Sequence, residues 1–484
     1  MSTPAARPSI AERQIRVWLL LWGGVLGLCI LKFGNPVVLD RQIPAPASWS
    51  EAVADPWPVR WASWLLLLLL LPIIPRLLQE GRTQFLRLSR WLWIPPLLWF
   101  GWQVLSMAQT VDKPLSAAAV IQFAGIVAAY GTGVALITDR RRLAWAMALV
   151  VLAFCICLMR SVNQRFEFPQ MRAELVEGER TDWTNFPPTT VLDLERQQLI
   201  VSTNGVRRAN PLILLKLERG RVYGTLVYPN ALAAIVLLLL PLTWVLVSEL
   251  TQSARPVTRW AALGLVSGLG VIALLWSGSK SGWLISLALL AALGWRQPLP
   301  RKVRTTALAL LAIAGILAFA VRFRSYFAAG ATSVGARMDY WSAAGKTTRS
   351  NPFLGTGPGT FQRPYAKLKA PDSEMARLTH NDYLEQFSDS GIPGGIFYTV
   401  WIGAWAFLVG RRCWRSEDPL LVATFLGVAA WFAQGVSEFG LYVPALAWTA
   451  FTLAGATAGI MALQTTPTAT LPPSGPRVAA SPKR

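Results

Sequence analysis

Apolar stretches of near-membrane-spanning length recur about a dozen times along this chain, separated by polar segments, and that alternation leaves few folds open. Crossing roughly 30 Å of hydrocarbon as a helix takes about 20 apolar residues. The stretches predict helices near 17–34, 61–75, 91–108, 117–138, 143–158, 226–247, 260–276, 282–295, 305–321, 392–410, 419–435 and 440–463. The unbroken run from Leu65 to Leu71 suits a lipid-facing helix, whereas a strand barrel needs short segments of alternating polarity. At 53% hydrophobic residues with 23 Trp, the chain is too apolar for a pair of soluble domains. The expected class is an all-α polytopic membrane protein with about twelve transmembrane helices and two long extracytoplasmic loops. The first apolar segment has no convincing small-residue cleavage site, so it is expected as a retained span.

Charge orients this arrangement. The formal net charge is +21, but the positive residues gather at alternate connections rather than in one patch. With Arg7, Arg13 and Arg16 inside, the inner segments carry Arg76, Arg82, Arg87 and Arg90, then Arg140 to Arg142, Arg255 and Arg259, Arg296 to Arg304, and Arg411 to Arg415. Arg477, Lys483 and Arg484 close the series, which places both termini in the cytoplasm. Topology and contact with anionic membrane lipids account for the excess charge, and no nucleic-acid partner is expected. Cys29, Cys155 and Cys157 fall in apolar spans and Cys413 in a basic loop, which gives neither a disulfide framework nor a Cys-based zinc site.

The chain therefore divides into a five-helix membrane region (1–158), a first long outer loop (159–224), central helices (225–321), a second long outer loop (322–391), C-terminal helices (392–463) and a disordered cytoplasmic tail (464–484). Within the second loop, 335–346 is expected as a short interfacial helix with Arg337 at the water line. No acidic, basic or His residue falls near the middle of any predicted span, an arrangement that favours chemistry at the interface over ion-coupled transport.

Four outer features carry possible chemistry. His380 is the sole histidine, and a neutral imidazole, with an ordinary pKa of about 6.5, can take a proton from a hydroxyl. Asp382 and Glu385 are near enough in sequence to orient it if a helix begins near Asn381. A loop histidine bonded to the backbone is the plainer alternative. Lys280, in SGSKSGW (277–283), departs from the charge rule for short outer loops and suits an anionic ligand, although snorkelling explains it as well. Arg219 and Arg221, just before the span that starts with Tyr228, Pro229 and Asn230, are able to grip a pyrophosphate bidentately, and Arg337 and Arg349 extend that anion site. A snorkelled collar, or pairing with Asp339 or Glu218, is the competing account. Asp372, Glu374, Asp382 and Asp389 are spread along the second loop without the spacing of a cation loop, so no metal site is expected.

GTLVYPNALA (224–233), SGSKSGW (277–283), the Arg337/Trp341 pair, NPFLGTGPGTF (351–361) and THNDYLEQFSDSGIPGG (379–395) stand in an order and setting that resembles the O-antigen ligase-like family, from about Tyr223 to the last span. The resemblance implies a GT-C-like fold in the bacterial inner membrane with a periplasmic active site. It implies transfer of a glycan from an undecaprenyl-diphosphate-linked donor to an acceptor hydroxyl, lipid A-core first among acceptors, with inversion and with neither metal nor other cofactor. His380 matches the essential histidine, Lys280 falls where many members carry Arg, Arg219 or Arg221 supplies a first-loop Arg, and Arg337 matches the second-loop Arg. Asn230 and Asn381, inside two of the matching motifs, complete the substrate-binding set. Lys at position 280 keeps the charge but lacks the planar fork for bidentate phosphate contacts. Related activities are O-antigen polymerisation and protein O-glycosylation. From other classes, a bicarbonate-like small-anion transporter and a non-catalytic scaffold also fit the span count.

Overall fold

The computed structural model describes residues 10–203, 205–328 and 330–464. Arg7 and the tail with Arg477, Lys483 and Arg484 lie outside the described residues. In chain order the helices are α1 (Ile10–Lys32), α2 (Trp49–Ala54), α3 (Arg60–Leu70), α4 (Ile74–Arg87), α5 (Ile94–Ser106), α6 (Lys113–Leu136), α7 (Arg140–Arg180) and α8 (Pro188–Arg196). A hairpin of β1 (Ile200–Thr203) and β2 (Val206–Ala209) leads to α9 (Pro211–Arg219), α10 (Pro229–Leu250), α11 (Pro256–Ser277) and α12 (Lys280–Trp295). The rest are α13 (Arg301–Ala328), α14 (Thr332–Ser350), α15 (Gln362–Leu368), α16 (Asp382–Arg415), α17 (Pro419–Gln434) and α18 (Pro444–Leu463).

Local chemistry starts these helices where they start. Asp112, Asp139, Asn210, Ser279, Asn381 and Asp418 each offer a side-chain oxygen to a free N–H of the first turn. Proline stands in the first turn of α6, α9, α10, α11, α17 and α18, where its missing N–H costs nothing. Every predicted apolar stretch is helical. Among the described residues eight helices, α1, α6, α7, α10, α11, α13, α16 and α18, are long and apolar enough to cross a membrane, while α12, α17 and the α3 stretch are apolar but shorter. At 13 residues α5 is about 20 Å long, less than the hydrocarbon thickness.

α18 is the buried axis of the bundle and α6 lies along it. Small residues let the two backbones nearly touch: a Cβ on Gly455 would stand 2.1 Å from the carbonyl oxygen of Tyr130, and one on Gly133 2.3 Å from that of Thr452. Between apolar helices in lipid, such contact is a main source of association. The basic connections meet at one end of the bundle. Arg140 pairs with Glu249 and Asp418, Arg141 with Glu12, Arg142 with Glu80, and Arg296 donates to the carbonyls of Trp414 and Ser416. Segments expected on the inner side thus lie together, and His380 is at the opposite end.

Two segments differ from the sequence expectation. The helix expected near 143–158 does not stop there: α7 runs on through residue 180, 41 residues or about 60 Å, twice the hydrocarbon thickness. Its far end carries α8, the hairpin and α9 as one unit, held by the Trp183 indole donating to the Arg207 carbonyl and by the Glu179 carboxylate accepting from Ala209 N–H. Midway, Gln164 is buried and clips the chain entering α10: its Oε1 accepts from the N–H of Tyr223 and Gly224, and its Nε2 donates to the Gly224 carbonyl.

The second long segment is also largely helical. The expected interfacial helix is α14, which ends at Ser350, with Asn351 as its cap before Pro352. α16 begins ten residues before the predicted span and is two helices joined at Gly391, whose φ of 69° interrupts the first. Asp382 and Asp389, expected along a loop, are therefore helical, as is Glu385 between them. They lie buried on that first half, and none of them forms an ion pair with Lys or Arg among the described residues. Asp389 fastens the Gly/Pro run to α16: its carboxylate accepts from Gly359 N–H and the Tyr442 hydroxyl, and its carbonyl from Gly357 N–H.

Candidate active site

The imidazole is presented by a tight turn ahead of α16. Thr379 N–H donates to the Glu385 carboxylate, Thr379 Oγ1 donates to the Asn381 carbonyl, and Asn381 Oδ1 accepts from Tyr383 and Leu384 N–H at 3.0 Å each. Between these anchored residues His380 adopts a left-handed φ of 54°, unusual for a residue with a Cβ. Its ring stacks on Tyr340 at 5.8 Å and meets Phe439 edge to face at 4.7 Å. About a third of the side chain (31%) is exposed.

Nδ1 of His380 is 3.6 Å from Oε2 of Glu438 and has no hydrogen-bond partner. A small ring movement closes that distance to a hydrogen bond. Glu438 is 7% exposed, and its other oxygen accepts from Asn230 Nδ2 and from Arg337 Nη2, both at 2.7 Å. Asn230 in turn accepts from Arg221 Nη2 through Oδ1 at 2.8 Å, and Arg221 Nε donates to the Ser277 carbonyl at 2.7 Å. Arg337 is further fixed by the Ser437 carbonyl. One buried carboxylate therefore lies between the imidazole and two guanidinium groups, Arg337 bound directly and Arg221 through Asn230. Burial pushes the Arg221 guanidinium below its usual pKa, while Glu438 holds it up.

Lys280 starts α12, beside Ser277 and Ser279. Its ammonium lies 3.7 Å from the centre of the Tyr326 ring and 5.3 Å from that of Phe323, makes no ion pair among the described residues, and is within electrostatic reach of Arg221, Arg337 and Glu438. A cation held by aromatic faces is available to an incoming anion.

The structure thus brings His380, Arg221, Asn230, Arg337 and Lys280 together, and sorts the remaining candidates. Arg219 is exposed at the end of α9, two residues from Arg221 but outside its hydrogen-bond chain. Asn381 uses its carboxamide oxygen as the cap of α16. Arg337 points inward to Glu438 rather than to the water line, and its partner is neither Asp339 nor Glu218. Arg349 is twelve residues along α14, about 18 Å away along its axis, and exposed. Asp382 and Glu385 bind the N–H groups of Leu441 and Thr379, so the carboxylate facing the imidazole is Glu438 instead. Sequence reasoning missed Glu438, although a signal exists: it is the only charged residue from 419 to 463.

Two cavities adjoin the cluster. A small one of about 20 Å³, enough for one water, is lined by Tyr228, Asn230, Asp382, Gln434 and Glu438. A larger one of about 700 Å³ runs between α10, α11, α12 and α17, from Leu274 and Trp283 near Lys280 to Arg296, and is walled mainly by Leu and Val.

Residues 265–399 match the family model described as O-antigen ligase. The matched stretch runs from α11 into α16 and contains Lys280, Arg337 and His380, which bears out the resemblance read from the motifs. No curated protein matches the chain.

Proposed function

Starting from a chain with an O-antigen ligase-type region at 265–399, we propose that it is a membrane glycosyltransferase. In this reading it moves a glycan from undecaprenyl diphosphate to an acceptor hydroxyl at the periplasmic face of the bacterial inner membrane. Lipid A-core is the first candidate acceptor.

One observation carries the reading: the only imidazole faces the carboxylate, Glu438, that binds Arg337 directly and Arg221 through Asn230. The acceptor oxygen attacks the anomeric carbon as the bond from that carbon to the diphosphate oxygen breaks, which inverts the configuration. The hydroxyl proton passes to His380, and the electron pair of the broken bond leaves on the diphosphate. Glu438, facing Nδ1, keeps the opposite ring nitrogen free as the base and stabilises the imidazolium that forms. Lys280, Arg221 and Arg337 meet the growing negative charge, since each guanidinium retains donors beyond those bound to the protein. In this reading their charge does what a metal ion does elsewhere. The 700 Å³ cavity beneath Lys280 suits the prenyl tail.

The test uses purified full-length protein in lipid nanodiscs with a lipid-linked oligosaccharide donor. The His380→Ala variant is expected to lose at least about 100-fold in turnover while remaining folded. Transfer at the wild-type rate by that variant removes the base assignment.

A further inference from the structure

A second polar cleft, of about 290 Å³, lies at the same end of the molecule. None of its walls comes from the elements that carry Arg221, Lys280 or Arg337. It is built from the turn at 37–42, the start of α6, the start of α15 and Arg377, three residues before His380. Val38, Leu115 and Ala118 give it an apolar floor, and Gln42 and Gln362 bring carboxamides to the rim. Small-molecule sites combine an apolar lining with a few polar groups that fix orientation, and the volume is near their lower limit of about 300 Å³, enough for one sugar unit.

The charges at the rim are unequal in use. Asp40 is paired with Arg60 at 3.1 Å, and Asp112 with Arg363 at 2.6 Å. Arg41 and Arg377 have no ion pair or hydrogen bond among the described residues. Both carboxylates are therefore neutralised and two guanidinium groups are left over, so the cleft presents net positive charge to whatever enters. Arg377 also ties it to the catalytic side: its charge reaches Tyr228, whose ring packs edge to face on Phe439, the same ring that contacts His380.

The geometry points to this cleft as the acceptor subsite, taking an acidic sugar that bears a phosphate or a carboxylate, with Arg41 and Arg377 as the groups that bind its anion. The assignment rests on the glycosyl-transfer reading and adds to it the class of acceptor. The donor diphosphate is held by one set of elements and the acceptor by another, with the imidazole between them in the chain that leads into α16.

Two arms test it on the full chain in nanodiscs. In the first, Arg41→Gln and Arg377→Gln are assayed with an acceptor oligosaccharide carrying one acidic group and with its neutral counterpart. The expected result is an increase of about 10-fold or more in KM for the acidic acceptor, with donor KM within twofold of wild type and little change for the neutral acceptor. An unchanged acceptor KM in both variants overturns the assignment, as does a rise confined to donor KM. In the second arm, glucose 6-phosphate, glucuronate and glucose are compared by saturation-transfer NMR. Binding of either acidic sugar in preference to glucose, lost in Arg41→Gln, supports the cleft and identifies the anion; equal binding of all three overturns it. If the wild type transfers nothing yet binds acidic sugars through Arg41, the catalytic reading fails and the cleft stands. If transfer proceeds and both variants behave as wild type, the cleft fails alone.

Discussion

Replacing Glu438 with Gln changes one oxygen to an amide nitrogen, and the surroundings decide which. Oε1 accepts from both Asn230 and Arg337, so the amide oxygen must take that place and the NH2 group must face His380 Nδ1. An acceptor opposite the ring becomes a donor. The neutral imidazole then keeps its proton on Nε2, and the nitrogen meant to act as base is blocked. The charge is lost as well. At 3.6 Å with an effective dielectric of about 20, carboxylate and imidazolium attract by about 4–5 kcal/mol. With the imidazole about one third exposed, screening reduces this to about 2–3 kcal/mol, or roughly 30- to 150-fold in kcat. A fully locked tautomer extends the loss toward the roughly 10⁴-fold seen when a triad carboxylate becomes an amide. Donor KM is expected to hold or fall, because Arg221 and Arg337 lose their counter-charge. Initial rates against each substrate separate the two effects. The chain has a single histidine, so 15N labelling of His reads the tautomer directly, with Nδ1–H expected in the wild type and Nε2–H in the variant. A Glu438→Gln protein with kcat within threefold of wild type and an unchanged tautomer would refute the reasoning.

Lys280→Ala is expected to lower kcat by about 100- to 1,000-fold as one cation is removed from the leaving group, and Lys280→Arg to restore most of it; steady-state transfer assays measure both. The two neighbouring arginines should separate in the same assay: Arg221→Ala falls at least about 100-fold, whereas exposed Arg219→Ala stays within about threefold. Gly455→Ala forces a Cβ against the Tyr130 carbonyl and is expected to cost about 1–3 kcal/mol, seen as a lower Tm of the solubilised protein; an unchanged Tm contradicts the close packing of α6 and α18.

What the sequence reveals and what it hides divide along physical lines. A membrane helix is written in local composition, which is why every apolar stretch reappears as a helix. Lys280 and His380 stand out for a similar reason, as rare residue types in their settings. α7 beyond residue 158 is different: once hydropathy falls, a helix continuing into water looks like a polar loop, even though its Arg, Glu, Gln and Met are good helix formers. The first half of α16 is hidden in the same way, because its acids are buried against other parts of the protein rather than in lipid. Glu438 has its meaning only through Asn230, Arg337 and His380, which are 208, 101 and 58 positions away. No local pattern records such distances, and the inward turn of Arg337 is likewise a tertiary fact.

The Gln164 clip has a mechanical implication. α7 is a stiff rod with the hairpin unit at its tip, and the clip joins the rod to the backbone six to seven residues before Asn230 and within three of Arg221. A pull on the tip is therefore transmitted as leverage onto the segment that carries Arg221 and leads into Asn230, the two residues bonded to each other beside Glu438.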